Sequence, residues 1–175
     1  MLLGLTWKLW INLMGFNLIW ALSIFIGNDA LLWIAVLLLL HFVFVAKSWI
    51  ELPIVLVVAL VGYSVDYILT IAGVFRFEQA QGITPVWLFF LWIGFCSTLR
   101  YSLHFFSEKY RIASIAGAIA GCVTYFSAAH FGAVELPLAP VISAAILAGV
   151  WALLFPALLW ISHTMSQYLS KHICL

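Results

Sequence analysis

Of the 175 residues, 67% are hydrophobic and 7% charged, where a soluble domain is roughly half apolar and about a quarter charged. Seven basic and six acidic side chains cannot coat even a small globule, and a mean hydropathy of +1.22 is that of a chain whose solvent is lipid. A net charge of +1 and a pI of about 7.8 leave no basic surface for nucleic acid and no polybasic tract for anionic headgroups. Cys96 and Cys122 lie in apolar segments and Cys174 is next to the C-terminus; without a CxxC pair or a Cys/His cluster, neither a disulfide framework nor a metal or cofactor site is indicated.

At about 20 residues per crossing, roughly 120 residues make six spans and leave no room for a soluble domain. The reading is therefore a single all-α membrane domain over 1–175, a bundle of six transmembrane helices. The apolar windows place the spans at about 9–26, 30–46, 52–74, 85–106, 111–130 and 140–162. Asn28-Asp29 breaks the first pair, and Lys47-Ser48 with Glu51-Leu52-Pro53 breaks the second. The stretch from Arg76 to Thr84, with Glu78, Gln79, Gln81 and Gly82, is the one sizeable loop. Thr84-Pro85 reads as a helix start, the Thr capping orphan N–H groups and the Pro occupying the first turn. Pro137 and Pro140 do the same for the last span, which Pro156 should kink. Trp7, Trp10, Trp33, Trp49, Trp87 and Trp160 fall toward span ends, as headgroup anchors do.

Lys8, Lys47, Lys109, Arg111 and Lys171 fall on one side of such a bundle, with Arg100 close to it, and Arg76 falls opposite. The positive-inside rule then puts both termini in the cytoplasm.

The most costly residue is Asp66, roughly 12 Å deep in the third span at 1.5 Å per residue. Its candidate partners at similar depth are Asn17 and Trp20, Trp92 and Cys96, and Tyr125. It either clips helices together in its protonated form or serves transport or catalysis. A second polar layer comprises Asn12, His41, Ser97, Arg100, Tyr101 and His104. In a regular helix Ser97, Arg100 or Tyr101, and His104 share one face. Arg100 either snorkels to the headgroups or forms an anion pocket, where its planar fork suits a phosphate or carboxylate and His41 or His104 exchanges protons near neutral pH. In the fifth span Ala113, Gly117 and Gly121 recur every fourth residue, with Tyr125 continuing the stripe. Small residues at this spacing admit a close helix, either within the chain or in a homodimer.

From Pro85-Val86-Trp87 to Phe105, and from Gly117-Ala118-Ile119-Ala120-Gly121 through Tyr125 to Phe131-Gly132-Ala133-Val134, the chain resembles a bacterial multi-pass membrane family catalogued as domain of unknown function 2878. The likeness extends to Asn12 and Trp20 in the first span and to Gly62, Asp66 and Gly73 in the third. In span four, Ser102 and the leucines Leu99 and Leu103 match the family pattern, whereas Arg100 and Tyr101 stand where it has an Asn-His pair. The resemblance implies a protein of the inner membrane of a Gram-negative bacterium. It also implies a connection with envelope lipid chemistry, since members are often encoded near fatty-acid-modifying methyltransferases.

Three functions fit these residues. The first is an accessory or scaffold component of envelope lipid metabolism, with membrane lipids and other membrane proteins as partners. The second is a small intramembrane lipid-modifying enzyme using Asp66, His41, Arg100 or His104. The third is a carrier of lipids, protons or small amphiphiles. No nucleophile, base and orienter stand at a readable spacing, so no reaction class follows.

The orientation has a direct test at Cys174. In a variant lacking the other two cysteines, an impermeant thiol reagent added to intact spheroplasts should leave Cys174 unlabelled. Labelling without permeabilisation would reverse the topology.

Overall fold

The computed structural model describes residues 7–46, 48–77 and 82–173; Lys47, Glu78, Gln79, Gln81 and Cys174 lie outside the described residues. Among the described residues the fold is all-α with six α-helices. These are α1 (Trp7–Phe25), α2 (Leu31–Leu40), α3 (Glu51–Ile71), α4 (Val86–Cys96), α5 (Tyr110–His130) and α6 (Pro140–Ile173). A 3-10 turn over Gly27–Ala30 leads into α2, and a π-helical turn over His41–Val45 extends it. Five segments are long and apolar enough to cross a membrane: Trp7–Phe25, Gly27–Val45, Glu51–Ile71, Tyr110–His130 and Pro140–His172. The protein is a multi-pass membrane protein.

Its burial pattern is the one lipid imposes. On α5, Ile115, Ile119 and Val123 are 60% or more exposed, while Gly117, Gly121 and Tyr125 on another face are buried. Large apolar side chains outside lose nothing against acyl chains, so the interior is set by close packing and by hydrogen bonds rather than by hydrophobicity. Asn12, His41, Glu51, Asp66, Ser97 and Thr98 are accordingly all buried.

The expected fourth span departs most from regularity. Its α-helix stops at Cys96 after 11 residues, about 17 Å at 1.5 Å per residue against a hydrocarbon core of about 30 Å. The chain continues through turns to a short 3-10 segment at His104–Phe106. The cause is local. Ser97 Oγ donates to Gly94 O (2.7 Å) and Thr98 Oγ1 to Phe95 O (2.6 Å), so these hydroxyls compete for carbonyls that the next helical turn needs. The backbone answers with tighter i→i−3 bonds, from Thr98 N to Phe95 O and from Leu99 N to Cys96 O. Ser97, Arg100 or Tyr101, and His104 therefore do not share one α-helical face. The predicted cap at Thr84 also differs: Pro85 occupies the N-cap position and Thr84 Oγ1 bonds Tyr63 OH (2.7 Å). The orphan Trp87 N–H is taken instead by Asn28 Oδ1 (3.1 Å) from the α1–α2 turn.

Helices α3 and α5 end in the same way. Gly73 (φ 73°) and Gly132 (φ 78°) adopt left-handed backbone. Behind them Val74 N bonds Leu69 O and Ala133 N bonds Ala128 O, the six-to-one bond of a Schellman turn. Three residues beyond each glycine, Arg76 and Glu135 pair in an antiparallel bridge, N–H to O at 2.9 and 2.8 Å. This bridge ties the two helix ends together.

The long α6 packs along α5, and the small-residue stripe is the reason. A Cβ on Gly117 would lie 2.6 Å from Trp151 O, and one on Gly121 2.2 Å from Trp151 Cγ. The glycine faces are thus covered by α6 of the same chain, and a homodimer through Gly117 and Gly121 would have to displace it. Pro156 lies inside α6 and has no N–H for Ala152 O, four residues earlier. Ser114 Oγ of α5 donates to that carbonyl at 2.7 Å, so the bond missing within α6 is made between helices.

Ser114→Ala should lower the unfolding free energy in detergent by about 0.6 kcal/mol and by no more than about 1.7, the range of interhelical side-chain bonds in membranes. In a Pro156→Ala background, where Ala152 O regains its helical partner, the same substitution should cost less. An equal loss in both backgrounds would show that Ser114 does not compensate for the proline.

Candidate functional site

Asp66 sits one helical turn beyond Gly62 on α3, and the two residues act on the same tryptophan. Gly62 leaves room for the Trp92 ring, since a Cβ there would approach Trp92 to 2.2 Å. Asp66 Oδ2 accepts from Trp92 Nε1 at 2.8 Å. Helix α5 repeats the arrangement: Gly121 receives the Trp151 ring, and four residues on Tyr125 OH donates to Asp66 Oδ1 at 2.5 Å. The Trp92 and Trp151 rings stack, 5.6 Å between centroids and 9° between planes. Four helices thus meet at two indoles and one carboxyl group, whose two oxygens each accept one donor. Of the expected Asp66 partners, Trp92 and Tyr125 are brought to it. Asn17 instead bonds Leu13 O of its own helix (2.8 Å).

The second polar layer assembles around Asn12 of α1. Its Nδ2 donates to Ser97 O (3.3 Å) and meets His41 Nδ1 (3.4 Å). Its Oδ1 accepts from Ser102 Oγ (2.7 Å) and Ser102 N (3.3 Å). One side chain therefore satisfies backbone groups on both sides of the break after α4, the condition under which irregular backbone persists at membrane depth. Tyr101 joins from the same segment. Its ring lies edge-on to His41 (5.5 Å), and its OH lies 2.9 and 2.7 Å from the two Glu51 oxygens. Glu51 stands in the first turn of α3, where a negative charge is favoured by the helix dipole. Sequence reasoning treated Glu51 only as a span breaker, although an acid at the head of an apolar helix was the available signal. It also passed over Ser102 as a site residue, despite that position's match to the family pattern.

Arg100 and His104 are not part of this layer. Arg100 is only partly buried, and His104 is exposed, with Nδ1 meeting Ser107 Oγ at 3.0 Å. No hydrogen bond joins either to Asn12, His41 or Ser97 among the described residues, and the two do not lie on one α-helical face. Trp87 likewise is no headgroup anchor. It is 7% exposed beneath the α1–α2 turn, whereas Trp7, Trp10, Trp33, Trp49 and Trp160 are all at least 48% exposed.

Between the two layers lies a cavity of about 350 Å³, within the roughly 300–1,000 Å³ usual for small-molecule sites. Helix α1 forms one wall with Phe16, Asn17 and Trp20, and α5 forms the other with Ala116, Ala120 and Thr124. The indole stack, Asp66 and Phe95 lie behind. Thr98, Ser102 and Phe106 line it toward the Asn12 layer, and Phe77, Trp87 and Val134, next to the Arg76–Glu135 bridge, line the opposite end. Asn17 and Ala120, near the middles of their helices, are exposed, so the cavity is a cleft open sideways between α1 and α5. Among the described residues no group of three or more His, Cys, Asp and Glu side chains is placed to hold a metal ion.

The clamp at Asp66 makes a defined prediction for stability. Asp66→Asn should fold but melt below wild type, because its carbonyl accepts from Trp92 while its amide donates to Tyr125 Oη and leaves the Tyr125 proton without this acceptor. Asp66→Leu should lose about 1–3 kcal/mol for each donor left unpaired, and Asp66→Lys should not fold. Tyr125→Phe should cost less in the Asp66→Leu background than in wild type. Additive losses in that double-mutant cycle would mean that the Tyr125–Asp66 bond contributes nothing.

Neither a curated protein nor a solved structure matches the chain. The model of the family described as protein of unknown function DUF2878 matches residues 9–157, a range that holds both polar layers and every wall of the cleft. The chain belongs to that family.

Proposed function

We propose that the protein is a lipid-binding accessory component of envelope lipid metabolism in a bacterial inner membrane, and that the cleft between α1 and α5 holds a single lipid chain. The observation that carries this reading is the shape and position of the cavity. It is walled by aromatic and small apolar residues, it runs from the Phe77 and Trp87 end to Ser102 and Phe106, and it opens toward the surrounding lipid at Asn17 and Ala120. A ligand already dissolved in the bilayer enters such a site without crossing water. The accessory role is favoured over catalysis because Asp66 is engaged in the indole clamp and Asn12 and Ser102 across the helix break, which leaves His41, whose Nε2 is buried without a partner, as the one catalytic candidate inside the bundle with a free ring atom among the described residues.

The proposed orientation keeps both termini on the cytoplasmic side. Lys8 at the start of α1, Lys109 and Arg111 at the start of α5, and Lys171 at the end of α6 belong to one end of an alternating bundle, and Arg76 follows α3 at the other.

Ala120→Phe places a ring at the mouth of the cleft on an exposed position and so should leave the melting temperature close to wild type. Mass spectrometry of the protein purified in mild detergent should show a lipid bound at near one-to-one stoichiometry in wild type and strongly reduced in the variant. Equal lipid in both proteins would place the lipid outside the cleft and overturn the reading.

A further inference from the structure

If the cleft binds lipid, its geometry also restricts the chemistry of that lipid. Three features bear on this. The opening is at mid-height, at Asn17 and Ala120, where a charged headgroup is strongly penalised because no water is at hand to solvate it. No Lys, Arg or His lines the cavity among the described residues, and its one acid, Asp66, has both oxygens occupied by Trp92 and Tyr125. The other polar groups of the lining are neutral: the Thr124 hydroxyl, the second N–H of the Asn17 amide and the Trp151 Nε1–H, which is buried without a partner among the described residues, can donate, whereas the Thr98 and Ser102 hydroxyls already donate to Phe95 O and Asn12 Oδ1 and can only accept. A carboxylate or phosphate drawn fully into this cleft would meet no counter-charge, whereas a hydroxyl, ester or carbonyl would find both donors and acceptors.

The walls suit a hydrocarbon body. Phe16, Trp20, Trp92, Phe95, Trp151 and Phe155 all border the cavity, and their rings offer large apolar contact area to a chain lying between them.

From these features we infer that the cleft takes an uncharged lipid of the single-chain ester, alcohol or isoprenoid kind, with its polar atom at the Thr124 hydroxyl or the Asn17 amide. Arg100, outside the cavity lining, takes no part in binding it. The anionic lipids that make up much of a bacterial membrane are excluded as occupants by charge, not by size.

The test uses one chain with and without a charge. A conjugated tetraene fatty acid and its methyl ester both accept excitation energy from tryptophan, and Trp20, Trp87, Trp92 and Trp151 line the site. Each probe is titrated into the full-length purified protein at a pH where the free acid is ionised. The ester should quench tryptophan emission saturably, and the acid should bind at least about tenfold more weakly. Ala120→Phe should abolish the saturable signal, while Arg100→Ala should leave ester binding unchanged. Acid binding as tight as that of the ester, or acid binding lost in Arg100→Ala, would overturn the inference of an uncharged ligand while leaving the lipid cleft standing. Saturable binding of neither probe, or binding indifferent to Ala120→Phe, would remove the cleft itself as a lipid site, and this inference with it.

Discussion

Two stacked indoles held between two glycines and tied to one carboxyl group form the centre on which the remaining packing rests. In a bilayer, apolar side chains are as well solvated by lipid as by one another, so helices associate through close contact and through hydrogen bonds that lipid cannot offer. Gly62 and Gly121 provide the contact, letting the α3 and α5 backbones approach the Trp92 and Trp151 rings. Asp66 provides the bonds, accepting from Trp92 and Tyr125. The two glycine-to-polar steps of four residues, Gly62 to Asp66 and Gly121 to Tyr125, are the same device used on two helices. Each clears space for a ring and places a polar group one turn away, where the ring or its neighbour needs a partner.

The break after α4 has the opposite character. It loosens the bundle locally, and the looseness is held in check by a single side chain. Ser97 and Thr98 divert carbonyls from the helical pattern, and Asn12 then serves Ser97 O and Ser102 N across the gap. Because the chain turns away at Cys96, the wall of the cleft below Phe95 is made by Thr98, Ser102 and Phe106 rather than by further turns of a straight helix. The interruption thereby adds the Thr98 and Ser102 hydroxyls to the lining of the cavity. The orphaned carbonyl at Ala152 follows the same logic on a smaller scale, with Ser114 supplying what Pro156 removes.

A protein built this way has a rigid core beside a lateral opening. The clamp joins α3, α4, α5 and α6, while α1 is attached to α4 through the Asn12 bonds at one end, and the Asn28–Trp87 bond just beyond α1 secures the other. The cleft lies where α1 faces α5 between those attachments. Lipid binding at such a place draws on the same physics that folds the chain, since an occupying hydrocarbon completes the packing that α1 and α5 leave unfinished.

Much of this organisation was legible in the residue order. Hydropathy identifies six apolar segments, because the cost of a charge in lipid is a property of each residue and needs no knowledge of its neighbours. For the same reason Asp66 stands out, and its depth alone brings Trp92 and Tyr125 among its possible partners; the four-residue spacing of Gly117 and Gly121 likewise announces a tight helix contact. What was not legible depends on bonds spanning long stretches of chain. That α4 stops at Cys96, that Asn12 reaches Ser102, that Glu51 accepts from Tyr101 and that Trp87 is buried beneath Asn28 are decided by which helices become neighbours. Arg100 and His104 fell outside the inner layer for that reason: their helical spacing held only while the helix continued, and the competition that ended it is settled by hydroxyls and by Asn12 from another span. The cleft is further still from the sequence, because a cavity is the space that packed helices fail to fill, and no single residue encodes it.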